Sequence, residues 1–495
     1  MYSVASAAAV KEYEQRLMKD GTVPSLLLME RAALSVYESL CTRLDAMEQK
    51  EKRVLILSGT GNNGADGLAL ARFLTERKDV HTRVICTGNK EHATEEWRTQ
   101  AGILERLGLR IEELPDKLPD WDIAVDAMLG IGLSRPLDER YQAVLEQLNA
   151  ARREEGRMVI AIDIPTGLNS DSGRPQPVAV CADLTVSFTA FKRGMLLGEG
   201  RHYCGKVKIC PIGAMEETLP QESLLHWEEV KKRLPERDIL GHKGSFGKVL
   251  CISGSEGMPG AGILNARSVL YSGAGMVRII SPAANRELMI GSVPEAMFLA
   301  AEDCGEEELK KALDWADALV LGCGCGAAAA SWLERRELML WKGPVLIDAD
   351  GLNALAKDKS FLKERAARGC PVVLTPHPGE FARLFPGTDM QDADALKALA
   401  AEYGCILVAK SATTVVSDGI KLYYNTEGND GMATAGSGDV LAGIIGALLC
   451  VCESPLEAAA FGVSLHAHCG DEAAELHGKA AVTASALIDA LEIRR

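Results

Sequence analysis

Val54-Leu55-Ile56-Leu57 runs directly into Ser58-Gly59-Thr60-Gly61-Asn62-Asn63-Gly64-Ala65-Asp66-Gly67, and a helix-like segment follows from Leu68. A β-branched apolar run, a Gly-rich turn and then a helix is the unit from which parallel α/β sheets are built. The turn offers backbone N–H groups at a helix N-terminus, where they and the helix dipole favour phosphate. It lacks the GxGxxG spacing, so ordinary dinucleotide binding does not follow from it. Asn62, Asn63 and Asp66 add oxygen ligands and hydrogen-bond donors to the same loop. The competing reading is a tight turn in which these side chains bond only nearby backbone.

The same pattern recurs on both sides of this stretch. Strands are expected at residues 54–57, 82–86, 123–126, 159–162 and 184–188, preceded by a helix over 25–40. Leu26, Met29, Ala33, Val36 and Leu40 share one face of that helix, the spacing of a core-facing stripe. Residues 216–237 are charged, carry Pro220 and Pro235 and show no clear strand, so they read as a connection. Beyond it, strands are expected at 248–252, 276–280, 318–321, 345–347, 372–374, 405–408 and 413–416, with an apolar helix over 439–450. Two α/β domains of roughly 210 and 270 residues are of ordinary domain size.

The chain has 495 residues and a formal charge of −15, from 54 Lys plus Arg against 69 Asp plus Glu. That balance argues against non-specific nucleic-acid binding but not against a small anionic ligand held by local N–H groups. The 14 cysteines include no CxxC pair. Cys323 and Cys325 alternate with glycine, and no further zinc ligands stand at suitable spacing, so they read as reduced thiols in a turn. There is no signal-peptide pattern and no apolar run of membrane-spanning length, so a cytoplasmic protein without membrane contact is expected.

In an open α/β sheet ligands bind at the carboxyl ends of strands. Asp126 ends one expected strand and leads into Gly130-Ile131-Gly132-Leu133-Ser134-Arg135-Pro136. Asp163 ends another, in Asp163-Ile164-Pro165-Thr166-Gly167. Either acid alone is explained as a helix cap; with the loop after Leu57, three successive strand ends carry acids or glycines. In the second half, Gly260-Ala261-Gly262 lets a ligand approach the backbone, although helix–sheet packing also uses such residues. Thr375-Pro376-His377-Pro378-Gly379-Glu380 holds His377 in an extended turn after a strand. The strongest local signal is Gly431-Met432-Ala433-Thr434-Ala435-Gly436-Ser437-Gly438-Asp439, where glycines and a helix start make an anion hole for a phosphoryl group. Asp439 is placed to accept a proton from a hydroxyl; its bland role is an N-cap.

Met29-Glu30-Arg31-Ala32, the loop from Asn62 to Gly67, Asp126 through Pro136 and Asp163 to Gly167 together resemble the hydrated-NAD(P)H epimerases. The resemblance implies a Rossmann-like three-layer αβα domain over 1–215 and potassium held by Asn63, Asp126 and Thr166, oxygen ligands suited to a hard cation. It also implies substrate contacts from Asn62, Asn63, Gly64, Ala65, Asp66 and the 130–136 loop, with Asp163 as acid/base. The second half resembles the ribokinase-like fold and, within it, the nucleotide-dependent dehydratases of hydrated NAD(P)H, over 224–495. His242-Lys243-Gly244, Asp348-Ala349-Asp350-Gly351, the His377 turn, Lys410-Ser411 and the run ending at Asp439 carry that likeness. By it, Lys410, Ser411, Ala412, Thr413, Thr414 and Gly438 contact the adenine nucleotide. Ala261, Gly326, His377 and Asp439 contact the hydrated cofactor.

The family commonly has Pro at positions 430 and 323 and Gly at 435 and 411, where this chain has Asp430, Cys323, Ala435 and Ser411. The function implied is repair of hydrated NADH and NADPH. The R and S hydrates are epimerised, and the S hydrate is then dehydrated with ADP (or ATP) as phosphoryl donor and Mg2+ bridging its phosphates. A homo-oligomer is expected. The readings from other classes are a ribokinase-like vitamin-precursor kinase and a non-catalytic cofactor-binding module.

Overall fold

The structure, a computed structural model, describes residues 1–19, 23–133, 135–213 and 222–492. The chain divides into two compact units, Tyr2–Pro220 and Gln221–Arg495. Among the described residues no helix is long and apolar enough to cross a membrane.

The first unit contains β1 (Tyr2–Ala5), β2 (Lys52–Ser58), β3 (Val80–Cys86), β4 (Ile111–Glu113), β5 (Ile123–Ala127), β6 (Met158–Ile162), β7 (Leu184–Phe188), β8 (Phe191–Lys192) and β9 (Lys206–Cys210). Seven of these form a parallel sheet in the order β4-β3-β2-β5-β6-β7-β9. Successive residues of β2 point to opposite faces. Val54 and Ile56 pack with Val36 and Leu40 of helix α2 (Ser25–Asp45) and with Leu68 and Ala71 of helix α3 (Asn62–Leu74). Leu55 and Leu57 pack with Leu145 and Leu148 of the helix Glu139–Glu155. The result is three αβα layers with continuous apolar strands buried on both faces. Strand order reverses at β2: the chain runs outward through β3 and β4, then returns to β5 on the other side. The loops after β2 and β5 therefore leave in opposite senses and open a crevice at the carboxyl edge of the sheet. Outside this sheet, β1 pairs in parallel with β8, with Ala5 opposite Lys192.

The second unit contains β10 (Glu222–Leu224), β11 (Lys248–Ile252), β12 (Met276–Ser281), β13 (Met297–Ala300), β14 (Ala318–Leu321), β15 (Val345–Ile347), β16 (Val372–Leu374), β17 (Ile406–Ala409), β18 (Thr414–Ser417) and β19 (Leu422–Asn425). They run in the order β13-β12-β11-β14-β15-β16-β17-β18-β19-β10. Pairing is parallel from β13 to β17 and between β19 and β10, and antiparallel on both sides of β18. Here the order reverses between β11 and β14. The apolar helices Pro259–Tyr271, Ser437–Leu448 and Pro455–His477 cover the sheet, with Ile444, Ile445 and Phe461 in one core with Val249 and Val320. A Cβ on Gly443 would sit 1.9 Å from Ser268 Oγ, so this glycine is what lets the 437–448 and 259–271 helices touch.

Several elements differ from the sequence expectation. α3 begins at Asn62 rather than Leu68, because Gly61 already has extended backbone and Ala65 N–H donates to its carbonyl at 3.0 Å. Asn62 and Asn63 thus stand on the first turn of a helix and Asp66 on its second. Leu26, in the first turn of α2, is 42% exposed. Leu28, Ala32 and Leu44 complete the buried face instead. Residues 216–237 are not only a connection: β10 and the helix Trp227–Lys231 lie within them. β1, β4, β8, β9, β13 and β19 were also not expected; most are short, and their pairing is set by distant partners rather than by local alternation.

Candidate active sites

The crevice of the first unit is a cleft of about 810 Å³, within the ~300–1,000 Å³ usual for small-molecule sites. Loops after five strands line it: Thr60 to Asn63 after β2, Thr87 to Asn89 after β3, Met128 to Leu133 and Arg135 to Asp138 after β5, Asp163 after β6 and Phe188 at the end of β7. The glycines of the β2 turn are required by close approach. A Cβ on Gly59 would lie 1.9 Å from the Met128 carbonyl oxygen, and one on Gly64 would lie 2.0 Å from the Gly59 oxygen. Of the expected contact residues, Asn62, Asn63, Asp66, Gly130, Ile131, Gly132, Leu133, Arg135, Pro136 and Asp163 line the cleft. Gly64 and Ala65 are buried and do not. Ser134 lies outside the described residues.

Asp126 is fully buried. Its Oδ1 accepts from Thr166 Oγ1 at 2.7 Å and from Met128 N–H at 3.2 Å, and its Oδ2 accepts from Thr166 N–H at 2.7 Å. Burial pushes this carboxyl up to about 6 against those three bonds. Thr166 Oγ1 accepts in turn from Leu129 N–H at 3.0 Å. Asn63 faces the next residue, since a Cβ on Gly130 would be 3.4 Å from Asn63 Cβ and 3.4 Å from Asp163 Oδ2. The amide oxygen and nitrogen of Asn63 are both buried without a hydrogen-bond partner. The orphaned buried amide oxygen of Asn63, the carboxylate of Asp126 and the hydroxyl of Thr166 offer the oxygen chemistry that suits a hard monovalent cation.

Asp163 has φ +65°, a left-handed conformation uncommon outside glycine, held by its N–H donating to Val186 O at 2.8 Å. Its Oδ1 accepts from Lys192 Nζ at 2.5 Å and from Ser187 Oγ at 3.3 Å. Lys192 is 1% exposed and donates also to Ser187 Oγ and Phe188 O. Three further carboxylates line this cleft: Asp138, Asp66, and Glu14 of helix α1 (Ala7–Lys19). Burial and then the charge of Asp163 push Glu14 up to about 7, with Lys192 opposing. Burial, Asp163 and Glu14 push Asp66 well above the carboxylate range. Perturbed groups gathered in a cleft mark functional sites.

In the second unit the carboxyl ends of β11, β14, β15, β16 and β17 converge. The helix over 437–448 starts at Ser437, capped by the backbone of Gly436 at φ +86°, so Asp439 occupies its third position and is not the N-cap. Its carboxyl gathers with Cys323 after β14 and Asp348 after β15, with ligand atoms of all three within 4.8 Å. Lys410 Nζ donates to Asp348 Oδ1 at 2.9 Å, and Thr375 Oγ1 donates to the same oxygen at 2.7 Å. A Cβ on Gly438 would be 3.4 Å from Lys410 Nζ, so this glycine keeps the ammonium close to the helix start. Burial and the charge of Asp348 push Asp439 up to about 7; the Cys323 thiol and Lys410 oppose this. Asn265 Nδ2 donates to the Asp439 carbonyl at 3.1 Å. Ala349, next to Asp348, takes φ +49°, backbone strain of the kind kept at functional sites.

The remaining expected residues divide. Gly326 N–H donates to Asp350 Oδ2 at 2.7 Å, and a Cβ on neighbouring Gly324 would be 2.7 Å from Ala261 Cβ, so Ala261 and the 322–326 turn adjoin. Ser411, Ala412 and Thr413 form the turn from β17 to β18, and Thr414 opens β18. His377 is the N-cap of the helix Pro378–Leu384: its Nδ1 accepts from Gly379 N–H at 3.0 Å, and Glu380 Oε2 accepts from His377 N–H at 2.9 Å. His377 thus acts as a helix cap, and its other ring nitrogen, Nε2, lies 3.3 Å from Glu380 Oε1 on the half-exposed edge of the ring. Cys325 donates to the Ile252 carbonyl and is not one of the three clustered groups. Cys323 does find two acidic neighbours, which no local spacing could reveal.

Residues 25–194 match the family model described as YjeF-related protein N-terminus, and residues 249–492 match the model described as NAD(P)H-hydrate dehydratase. The chain is 34% identical over 519 residues to the bifunctional NAD(P)H-hydrate repair enzyme Nnr of Moorella thermoacetica, covering 99% of this chain and 96% of that one. This chain belongs to the family of bifunctional NAD(P)H-hydrate repair enzymes. The corresponding enzyme of Coxiella burnetii is 33% identical over 98% of this chain and 97% of its own length. A ribokinase-like superfamily protein of Enterococcus faecalis V583 superimposes with a TM-score of 0.50 at 27% identity, covering 55% of this chain and 95% of its own. Lys192, Glu14, Asp348, Cys323 and Asn265 were not singled out as site residues from the sequence. Asp348 stood in a quoted motif and Lys192 follows a strand; Glu14 has no local signal and precedes the matched region.

Proposed function

We propose that this chain repairs hydrated NADH and NADPH with two activities. Residues 1–215 interconvert the R and S hydrates, and residues 224–495 dehydrate the S hydrate at the expense of an adenine nucleotide. The observation that carries this is the pairing of two strand-end sites in one chain, one built on Asp163 with Lys192 and one on Asp439 with Lys410.

In the first unit the nicotinamide ring of the hydrate enters the cleft, and the N-terminal amides of α3 receive a phosphate of the dinucleotide. Asp163 accepts a proton from the water that returns to the ring. Asn63, Asp126 and Thr166 would hold potassium, which when bound would supply positive charge to the cleft. In the second unit Asp439 takes the proton of the ring hydroxyl as its oxygen attacks the terminal phosphoryl group. Amides at the start of the 437–448 helix receive the phosphoryl oxygens, and Lys410 lies beside them to balance charge. Phosphate leaves far more readily than hydroxide, and loss of the adjacent ring proton restores the reduced cofactor. Magnesium arrives with the nucleotide phosphates.

The test is incubation with mixed hydrate epimers and either ADP or ATP while following the return of reduced-cofactor absorbance. Full conversion of both epimers is expected. Conversion of one epimer alone removes the epimerase reading, and a stable phosphorylated product points to a kinase.

A further inference from the structure

Epimerisation at the hydroxyl-bearing ring carbon sends oxygen out on one face and brings it back on the other. A single carboxylate on one side cannot both protonate the departing hydroxyl and deprotonate the water arriving opposite. The first unit holds a second group for this. β1 pairs with β8 so that Ala5 lies opposite Lys192. Two residues later α1 begins, anchored by Ala7 N–H donating to Asp171 Oδ1 at 2.8 Å and by Val10 N–H donating to Ser6 O. Val10 and Tyr13 are the buried face of α1. Glu14, next to Tyr13 and one turn beyond Val10, is half-buried in the lining of the same cleft as Asp66 and Asp163. The pairing of β1 with the strand that carries Lys192 is thus what brings Glu14 to the Asp163–Lys192 pair.

We propose that Glu14 is the general acid of the epimerase, opposite Asp163 as the base; this rests on the epimerase reading above. Glu14 gives its proton to the ring hydroxyl, and the C–O bond breaks with its electron pair leaving as water. The ring nitrogen lone pair forms the C=N bond of the cation. Water adds to the other face, the nitrogen recovers its pair, and Asp163 takes the proton. Proton exchange through solvent resets the two carboxyls, so atoms and charge balance and no cofactor is consumed. The charges around Glu14 suit the role. Asp163 from the loop after β6 disfavours its ionised form, and Lys192 from β8 favours it; Glu14 in turn helps to hold the Asp66 carboxyl of α3 up. Lys11 on its own helix, and His92, Arg135, Asp138 and Arg140, line the cleft further along. Of the three carboxyls only Asp163 is bonded to the Lys192 ammonium, and Glu14 and Asp66 are both pushed up, so the three do not all ionise at neutral pH. Groups whose environments separate their proton affinities divide into acid and base.

The experiment measures epimer interconversion by the full chain against pH, for the wild type, Glu14→Gln, Glu14→Asp and Asp163→Asn. Glu14→Gln is expected to lower kcat about 10²–10⁴-fold with KM within a few-fold. The wild-type rate should fall as pH rises through about 7, the value for Glu14, and this limb should be absent in Glu14→Gln and kept, at reduced rate, in Glu14→Asp. Dehydration of the S hydrate by the same molecules should be unchanged. Interconversion by Glu14→Gln near the wild-type rate overturns the proposal, as does a slow Glu14→Gln that keeps the alkaline limb. Loss of rate in Asp163→Asn with full rate in Glu14→Gln leaves the epimerase reading standing and removes Glu14 alone. A wild type that leaves the epimers unequilibrated removes both.

Discussion

Replacing Asp439 with Asn should nearly stop dehydration and, at the same time, stabilise the protein above neutral pH. A positioned base contributes about 10²–10⁴-fold, or roughly 3–5 kcal/mol of transition-state stabilisation. The opposite effect on stability follows from the carboxyl's surroundings. Folding raises it from 3.8 to about 7, through burial and the neighbouring Asp348. The folded state therefore binds the proton more tightly than the unfolded chain, and stability declines as pH rises from about 4 to about 7, then levels off. At about 1.4 kcal/mol per pH unit the full penalty is at most about 4 kcal/mol. Solvent reaching the partly exposed group cuts this to about 1–3 kcal/mol. Asn has the same size and no charge to bury, so it escapes the penalty. Because Asp439 is not the N-cap, the substitution costs the helix no cap. Urea unfolding of both proteins from about pH 5 to 9 should show a stability gain for the variant that grows towards pH 7 and then stays constant. Wild-type dehydration should rise through the same range as the base ionises. A variant of pH-independent or lower relative stability would refute the electrostatic account, and dehydration near the wild-type rate would refute the base assignment.

Asp163→Asn should abolish epimerisation and leave dehydration intact, since Asn accepts the left-handed backbone but cannot carry the proton; interconversion at the wild-type rate would contradict it. Asp163→Ala should in addition destabilise the first unit by up to about 3–5 kcal/mol, because the buried Lys192 ammonium loses its partner, which calorimetry reads directly. Potassium should raise epimerase activity or melting temperature more than sodium, and Asn63→Ala should erase the difference; equal behaviour of the wild type in both salts would remove the ion site. His377→Ala should cost about 1 kcal/mol as a lost cap, whereas His377→Asn should keep the melting temperature and raise KM for the hydrate. An unchanged KM in His377→Asn would leave His377 as a cap alone.

The apolar strand runs, the Gly-rich turns and the acids at strand ends were legible in the sequence because each is a local requirement. Buried parallel strands need unbroken β-branched runs, and Gly59 and Gly64 cannot carry a Cβ against the backbone they touch. Asp126, Asp163 and the run ending at Asp439 could be placed from such signals alone. Helix starts were less legible: Asn62 and Ser437 open their helices earlier than the apolar periodicity suggests, because extended Gly61 and left-handed Gly436 end the preceding backbone without any side-chain cap. What only the tertiary structure decided is which groups meet. Lys192 reaches Asp163 across 29 residues, Lys410 reaches Asp348 across 62, and Cys323 approaches Asp439. Glu14 reaches the cleft through the pairing of a four-residue strand with a two-residue one. The proton affinities of Glu14, Asp66 and Asp439 follow from burial and from neighbours on other elements, and a carboxyl's environment is a property of the packed molecule, which no local spacing encodes.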